Sequence, residues 1–310
     1  MSELEQALAR APLFGEISLP AVVACSGGPD SLALLALART AGLLPIAVHI
    51  DHGLRAGSDR EAGVVRRAAQ RLGTRVRTVS VQVGAGSNLE ARARVARYRL
   101  LEQLRRELAA SVVLVGHTMD DQAETVVLNL LRGAAASGLG AMAPRSELIV
   151  RPLLGLRRAD TEAICAELDL EVVRDPTNDD RSFRRAWVRH DVLPRLADGA
   201  GRDLVPILAR QAELLREESS FLDDLAAASW PRGGARARDL AALDAVIARR
   251  AVRRWLGAPP PRRVEVDAVL AVARGERRAA QLTGGRRVRR TGGVMHHERR
   301  HRAGDYGFGA

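Results

Sequence analysis

The chain has 310 residues, of which 46% are hydrophobic, and a formal net charge of +11. This length and apolar content predict one or two folded domains and exclude a chain that is disordered throughout. All 48 basic residues are arginine, and the absence of lysine excludes both a Walker A phosphate loop and Schiff-base catalysis.

The expected location follows from features that the sequence lacks. No apolar stretch reaches the roughly 18 residues of a membrane span, and "MSELEQALAR" lacks the apolar core of a signal peptide. We therefore expect a cytoplasmic protein with no membrane partner. The two cysteines, Cys25 and Cys165, form no CxxC pair, which argues against a disulfide framework, a cysteine zinc site and an iron–sulfur cluster.

The predicted elements alternate between strands and helices from residue 21 to about residue 174. In chain order, strands are expected at 22–25, 45–51, 75–81 and 111–117, and helices at 30–39, 59–72, 89–108 and 120–132. Repeated β–α units with apolar strands predict an α/β fold, with a doubly wound and mostly parallel sheet covered on both faces. Ligands of such sheets bind at the carboxyl ends of the strands.

A second, smaller and mainly helical domain is predicted after the sheet. Helices are expected at 202–227, 241–256 and 264–275, followed by a Gly- and Arg-rich end with weak β character. The loose pattern of "LPRLADGAG" places the boundary between domains 1–196 and 197–310. Residues 231–310 carry 19 arginines against 7 acidic residues, which suits a polyanion such as nucleic acid. An ordinary solvated basic surface is the alternative.

The stretch "VVACSGGPDSLALL" interrupts two apolar runs with a turn made of Ser26, Gly27, Gly28, Pro29, Asp30 and Ser31. Two glycines permit positive φ and let backbone N–H groups approach an anion. Ser31 and the N-terminus of the next helix add donors and partial positive charge. The turn suits a phosphate or pyrophosphate, and the alternative is a tight βα turn that happens to be rich in glycine.

Two further polar groups are candidates for the same sheet edge. His49 and Asp51 lie at the end of strand 45–51, and His52 and Arg55 follow it. Two turns of helix 89–108 carry Glu90, Arg94, Arg97 and Tyr98. A loop cap explains any one member of the first group, and an ordinary salt-bridged helix explains the second.

The segment "GHTMDDQAET" is the densest candidate site. His117 ends a strand, and Asp120 and Asp121 open a helix on which Glu124 follows at helical spacing. Such carboxylates can hold Mg²⁺ or receive a substrate ammonium group. Helix capping is the alternative, and it would explain Asp120 without explaining the whole set.

Taken in order, these motifs resemble a known enzyme family. The SGGxDS turn resembles the PP-loop of ATP pyrophosphatases, which cleave ATP between its α and β phosphates. The H-x-DHGLR segment, the E-x-x-A-R-x-x-R-Y and HxxDDxxET helices, RPLL at 151–154 and DPTN at 175–178 resemble the tRNA(Ile)-lysidine synthetase family over about 22–196. One departure is visible, because Ala186 follows Arg185 where the family usually has an Arg-Asn pair.

The resemblance implies a reaction in two steps. ATP adenylates the C2 oxygen of the wobble cytidine in tRNA(Ile) with a CAU anticodon, and pyrophosphate leaves. The ε-amino group of free L-lysine then attacks C2 and AMP leaves, so that the tRNA decodes AUA in place of AUG. The resemblance further implies a catalytic domain over 1–196 and a tRNA-binding domain over 197–310. It implies Mg²⁺ as a cofactor beside ATP, and it leaves a homodimer open as the oligomeric state.

The same resemblance assigns roles residue by residue. The implied ATP-binding residues are Ser26, Gly27, Gly28, Pro29, Asp30, Ser31, His49 and Asp51. The implied catalytic residues are Asp30, also a candidate Mg²⁺ ligand, with Arg94, Asp120, Asp121 and Glu124. The residues implied to bind lysine or tRNA are His52, Arg55, Glu90, Arg97, His117, Arg132, Arg151 and Arg185.

Three other functions remain open from the sequence. A PP-loop tRNA thiolase usually needs a catalytic cysteine pair or an iron–sulfur cluster, and this chain has no CxxC pair. A PP-loop ligase of small molecules gives no reason for the basic C-terminal region. A non-enzymatic RNA-binding protein fits the charge but leaves the carboxylates unexplained.

Overall fold

The computed structural model describes residues 1–51, 58–81, 89–175, 178–230 and 236–299. The chain divides into two compact units, Met1–Arg216 and Glu217–Ala310. The domain boundary at 196/197 stays a prediction, because the division by contacts falls 20 residues later.

A five-stranded parallel sheet forms the centre of the first unit, in the order β3-β2-β1-β4-β5. The strands are β1 Ala21–Ala24, β2 Pro45–Asp51, β3 Arg75–Ser80, β4 Val112–Leu114 and β5 Ile149–Val150. The chain runs outward from β1 to β3 and then returns to β4 on the other side of β1. The carboxyl ends of β1 and β4 therefore meet at the point where the strand order reverses, which is where open α/β sheets bind ligands.

Helices cover both faces of this sheet, which confirms the predicted α/β class. Val23 of β1 packs into a core with α2, α3 and α7, whereas its neighbour Val22 packs on the opposite face against Leu101 and Leu104 of α4. The helices along the chain up to residue 229 are α1 Glu3–Ala9, α2 Pro29–Thr40, α3 Ser58–Arg71, α4 Leu89–Glu107, α5 Met119–Leu131, α6 Ala136–Leu139, α7 Arg158–Glu167, α8 Arg184–Trp187, α9 Leu193–Ala200 and α10 Val205–Ser229. A π-helical turn, Val188–Val192, joins α8 to α9.

The second unit combines helices with a small antiparallel sheet. Its helices after α10 are α11 Ala237–Ala241, α12 Ala245–Leu256 and α13 Arg263–Arg274, and its strands are β6 Ala279–Leu282, β7 Arg286–Thr291 and β8 Val294–Arg299. Gly292 and Gly293 both have positive φ and form the two-residue turn between β7 and β8. The weak β character predicted for the end of the chain is thus a three-stranded sheet.

Within the described residues, the helices are too short or too polar to cross a membrane.

Candidate active site

The turn between β1 and α2 is braced by its own polar groups. Ser31 Oγ accepts a hydrogen bond from Ser26 N–H (3.2 Å) and donates one to the Gly28 carbonyl (2.9 Å). Gly27 has φ +88°, and a Cβ there would lie 2.7 Å from a Val173 methyl carbon. Its carbonyl accepts from Val173 N–H at 2.8 Å, so glycine is required on steric and conformational grounds. The result is a braced turn that leads directly into the N-terminus of α2, where Gly28 is the N-cap.

Asp30 lies at this N-terminus and is held from α7. The Thr161 hydroxyl donates to Asp30 Oδ1 at 2.5 Å, and Arg158 Nε lies 3.9 Å from Oδ2. Burial raises the pKa of Asp30 to about 6, although the hydrogen bond from Thr161 opposes the rise. A Cβ on Gly116 would lie 2.9 Å from the Asp30 carbonyl oxygen, so the end of β4 passes directly against the start of α2.

His49 presents one ring nitrogen to this edge. Its Nδ1 is 2.9 Å from the Cys25 carbonyl, which can only accept, so Nδ1 carries the proton. Nε2 is a buried acceptor without a hydrogen-bond partner among the described residues. Asp51 is part of the same strand, whereas His52 and Arg55 lie outside the described residues.

The carboxylates of α5 lie beside the turn. Thr118 caps the helix, and Asp121 completes the capping box by accepting from Thr118 N–H at 2.8 Å. Capping by Asp120, the alternative to a functional role for that residue, does not occur, because the helix begins at Met119 with Thr118 as its N-cap. The second oxygen of Asp121 lies 3.2 Å from Arg158 Nη2 and 3.1 Å from Arg185 Nη2.

Arginine side chains neutralise the remaining carboxylates. Glu124 is fully buried and accepts from Arg185 Nε and Arg189 Nε, both at 2.7 Å. Asp120 accepts from Arg157 Nη2 at 3.2 Å and from the Arg158 backbone N–H at 2.8 Å. We call this the carboxylate–arginine cluster, and its members are Asp30, Asp120, Asp121, Glu124, Arg157, Arg158, Arg185 and Arg189.

The cluster has four carboxylates and four guanidinium groups, and Arg157 also pairs with Asp203 at its edge. Burial opposes ionisation of Asp121, but Arg185 and Arg158 outweigh it and hold the pKa of Asp121 below its ordinary value. Burial lowers the pKa of His117 to about 4, and the nearby cation Arg151 adds to this effect. His117 is therefore neutral at pH 7, and its buried Nδ1 has no hydrogen-bond partner in the described part of the chain.

Arginine side chains from α4 and from the residue that follows β5 lie near His117. The guanidinium carbons of Arg94 and Arg97 lie 5.1 and 5.4 Å from the centre of the Tyr98 ring. Arg151 Nη1 donates to the Ala143 carbonyl at 2.8 Å. Arg151 Nε and Tyr98 OH are buried and have no hydrogen bond of good geometry to a described residue. Burial lowers the pKa of Arg151, and the neighbouring Tyr98 opposes that shift.

The structure separates some of the predicted site residues from this centre. Arg132 follows the last turn of α5, eight residues or about 12 Å along the helix from Glu124. The side chain of Glu90 lies outside the described residues. Ala186 is buried in α8 between Arg185 and Trp187, at the position of the missing family asparagine.

The sequence did not reveal Arg157, Arg158 and Arg189 as members of the site. Arg157 and Arg158 form the "RR" at the start of α7, and Arg189 follows Arg185 at i,i+4 spacing. That spacing was the one visible indication that both side chains share a helix face.

Both cysteines lie beneath the turn as packing residues. Burial raises the pKa of Cys25 and of Cys165 to about 12. The Cys165 thiol donates to the Pro29 carbonyl at 3.4 Å. Thiols with such pKa values stay protonated at pH 7 and are poor nucleophiles.

Comparison with known proteins places this geometry in a family. A PP-loop domain model matches residues 5–196. The tRNA(Ile)-lysidine synthase of Nocardia farcinica is 44% identical over 269 residues, covering 83% of this chain and 84% of that protein. The enzyme of the same name from Mycolicibacterium paratuberculosis is 48% identical over 240 residues, covering 76% and 73%.

A solved structure shares the fold at much lower sequence identity. The U34-tRNA thiolase of Methanococcus maripaludis, solved with its [4Fe-4S] cluster, superposes with a TM-score of 0.58 at 17% identity and covers 69% of this chain and 79% of that chain. This likeness concerns the fold alone. The family match and the identity to two synthases over most of their lengths show that the chain belongs to the tRNA(Ile)-lysidine synthase family.

Proposed function

We propose that this protein uses ATP to join L-lysine to C2 of the wobble cytidine in tRNA(Ile) with a CAU anticodon. One observation carries the proposal: Arg158 contacts both Asp30 of the turn and the carboxylates of α5, in a chain 44% identical to a tRNA(Ile)-lysidine synthase. The turn suits a pyrophosphate leaving group, and the cluster supplies carboxylates for an amine.

The turn and its neighbours fit the triphosphate of ATP. Gly27 lets the turn pack closely against Val173, and Ser26 and Ser31 supply hydroxyls. We assign His49 Nε2, which is buried without a hydrogen-bond partner among the described residues, as an acceptor for a donor on the nucleotide. Charge that builds on the departing pyrophosphate is stabilised by the N-terminus of α2 and by Arg158.

Asp30 is the protein ligand that we assign to Mg²⁺. Magnesium is commonly held by one or two carboxylates together with substrate phosphates. No group of three His, Cys, Asp or Glu side chains in the described part of the chain can hold a metal alone, which fits a site completed by phosphates. Mg²⁺ bound there would neutralise charge on the β and γ phosphates.

The proposed reaction has two chemical steps, adenylation of the cytidine and transfer of lysine. The C2 oxygen of cytidine attacks the α phosphorus of ATP, and the bond to the bridging oxygen breaks to release pyrophosphate. The lysine ε-amine then attacks C2, the C2–O bond breaks, and AMP leaves with that oxygen. The amine loses a proton to a carboxylate or to water, and Asp121 and Glu124 are the proposed acceptors or orienting groups.

Lysine binding requires one cluster carboxylate to exchange its arginine partner for an ammonium. Arg158 is the group suited to this exchange, because it contacts Asp30 at 3.9 Å, Asp121 at 3.2 Å and Glu124 at 3.5 Å. Phosphates on the turn attract Arg158 away from Asp121 Oδ1. We therefore expect lysine to bind after ATP.

The thiolase alternative is not favoured by the cysteines. The sequence contains two, and both are buried with raised pKa values, whereas iron–sulfur clusters are held by several thiolates.

The experiment is an incubation of the full-length protein with ATP, radiolabelled lysine and a tRNA(Ile) transcript with a CAU anticodon. We expect label in the tRNA, with release of AMP and pyrophosphate in equal amounts. A transcript with uridine at the wobble position is the control and should stay unlabelled. Pyrophosphate release without label in the tRNA would overturn the proposal.

A further inference from the structure

An open pocket of about 380 Å³ in the first unit does not belong to the cluster described above. The pocket is lined by Leu131, Arg181, Ser182, Arg184 and Trp187. Its walls come from the end of α5 and from the segment that leads into α8. The volume lies in the range of sites that bind small organic groups.

One wall of the pocket is apolar and exposed. Trp187 is 39% exposed and Leu131 is 52% exposed. Leu130 and Phe183 are exposed beside them in sequence. Exposed apolar side chains grouped in this way mark an interaction surface, and an indole face suits a flat partner.

The remaining walls are cationic. Arg184 makes no ion pair with a described residue, and Arg181 contacts Asp191 at 2.9 Å through one of its terminal nitrogens. The described residues that line the pocket include no acidic side chain. A ligand that complements these walls has a flat apolar face and a negative charge, and a nucleotide has both.

The same helical turn connects the pocket to the cluster. Arg185 extends from α8 to Glu124 and Asp121, whereas its neighbours Arg184 and Trp187 line the pocket. Ala186 between them is buried. A ligand in the pocket therefore acts on the element that holds two carboxylates of the candidate active site.

We propose that this pocket holds an unpaired nucleotide of the RNA substrate, other than the modified cytidine, with its base on Trp187 and its phosphate on Arg184. The inference rests on the proposed function, because that function supplies an RNA with unpaired anticodon-loop bases. Single-stranded RNA is commonly bound by stacking of bases on aromatic side chains beside arginine.

The first test uses the fluorescence of Trp187. The chain has three tryptophans, and the signal lost in Trp187→Phe gives the contribution of Trp187. We expect a heptanucleotide with the sequence of the anticodon loop, and the full transcript, to quench this contribution. An unchanged Trp187 signal at saturating RNA would overturn the proposal, even if lysidine forms normally.

The second test separates stacking from folding. Trp187→Ala should raise the KM for tRNA roughly 10- to 100-fold without changing the KM for ATP, and Trp187→Phe should stay within a few-fold of the wild type. Leu44→Ala is the control, because Leu44 is 61% exposed just before β2 and does not line the pocket. Equal loss in Trp187→Ala and Trp187→Phe, or none in either, would contradict stacking.

Arg184→Gln tests the phosphate contact without touching the aromatic wall. It should weaken tRNA binding and lower its salt dependence, whereas Arg39→Gln at the other end of α2 should do neither. RNA that quenches Trp187 without lysidine being formed would remove the proposed function and leave the pocket assignment standing. If the pocket instead binds a protein partner, RNA will not quench Trp187 and the variants will bind tRNA as the wild type does. That result would overturn the assignment.

Discussion

Arginine is used in opposite ways in the two units of the molecule. In the first unit, Arg158, Arg185 and Arg189 surround the buried Glu124, and every cluster carboxylate has a guanidinium partner. The second unit, residues 217–310, has 19 arginines and 11 acidic residues, which leaves eight positive charges uncompensated. Balanced, buried charge fixes positions, whereas unbalanced, exposed charge creates a long-range field. Changes to the buried cluster should therefore act on stability and chemistry, and changes to the exposed arginines of the second unit should act on affinity and its salt dependence.

The largest expected effect comes from Glu124→Gln. Removing the charge leaves Arg189 without a carboxylate partner among the described residues and leaves Arg185 with Asp121 alone. We expect the free energy of unfolding to fall by about 3–5 kcal/mol, measured by urea denaturation. Glu102→Gln is the matched control, because Glu102 also pairs with two arginines but lies on the surface of α4.

The control should change stability by less than about 1 kcal/mol. Equal losses in Glu124→Gln and Glu102→Gln would show that burial does not distinguish the cluster from surface ion pairs.

Ser31→Ala should have the next largest effect, and it should act on pyrophosphate release rather than on tRNA binding. Loss of the hydroxyl that braces the phosphate turn is expected to slow pyrophosphate release about 100-fold or more, with tRNA binding by gel shift within twofold. Thr40→Ala at the other end of α2 is the control, since its hydroxyl bonds only the Ala36 carbonyl at 3.1 Å among the described groups. Normal pyrophosphate release in Ser31→Ala would remove the turn from the ATP site.

Asp121→Asn tests whether the cluster receives lysine. We expect lysine transfer to slow by about 10- to 100-fold more than adenylation, so that adenylated tRNA accumulates. High lysine concentrations should restore the rate if Asp121 binds the ammonium, and should not if it takes the proton. A loss confined to adenylation would instead place Asp121 with the phosphates.

These expectations also show how far the sequence alone describes the site. The structure places the turn at 26–31 beside the carboxylates of α5, as expected from local motifs and the rule for strand ends, whereas the roles of these residues stay predictions. The pairing of Glu124 with Arg185 and Arg189 joins residues more than 60 positions apart and depends on how α8 packs on α5. No local sequence pattern predicts a contact between residues so far apart in the chain.

The C-terminal sheet was predicted weakly for a different reason. Strand β7 reads "RRVRRT", and arginines on both faces conceal the alternation of a half-buried strand. Arg286 is nevertheless buried, because its side chain donates to the carbonyls of Thr283 and Pro259. A buried arginine bonded to backbone groups cannot be told from an exposed one by residue type.

In the second unit we expect moderate, additive effects on affinity. Arg253, Arg277 and Arg287 are exposed and make no ion pair with a described residue. Changing all three to glutamine should lower the slope of log Kd against log salt by up to about 3, without a change in the rate of pyrophosphate release at saturating tRNA. An unchanged salt slope would show that this surface does not contact the tRNA backbone.

The smallest effect is expected at Glu265, where the second unit buries a carboxylate without a close guanidinium partner. Glu265 accepts from the backbone N–H groups of Thr283 (2.6 Å) and Arg262 (2.7 Å), and the Arg262 side chain stays 3.8 Å away. These backbone hydrogen bonds lower the pKa of Glu265 to about 2 from 4.5. A carboxyl whose pKa is lower in the folded than in the unfolded protein stabilises the fold at pH values above the unfolded pKa. It loses that contribution as the pH falls through the folded pKa.

Glu265→Gln should therefore be less stable than the wild type at pH 7, by about 1 kcal/mol as for a helix cap. The difference should shrink as the pH falls from about 4.5 towards 2, because protonation makes the wild type resemble the variant. Urea unfolding followed by the fluorescence of Trp230 and Trp255 measures this unit, and Glu276→Gln at an exposed position is the control. High salt should leave the difference nearly unchanged, since backbone dipoles at contact distance are screened less than surface ion pairs. If the stability difference between the wild type and Glu265→Gln is constant from pH 7 to pH 3, Glu265 stabilises the fold by its packing and not by its charge. The backbone N–H groups would then not neutralise a carboxylate here as the arginines do in the cluster.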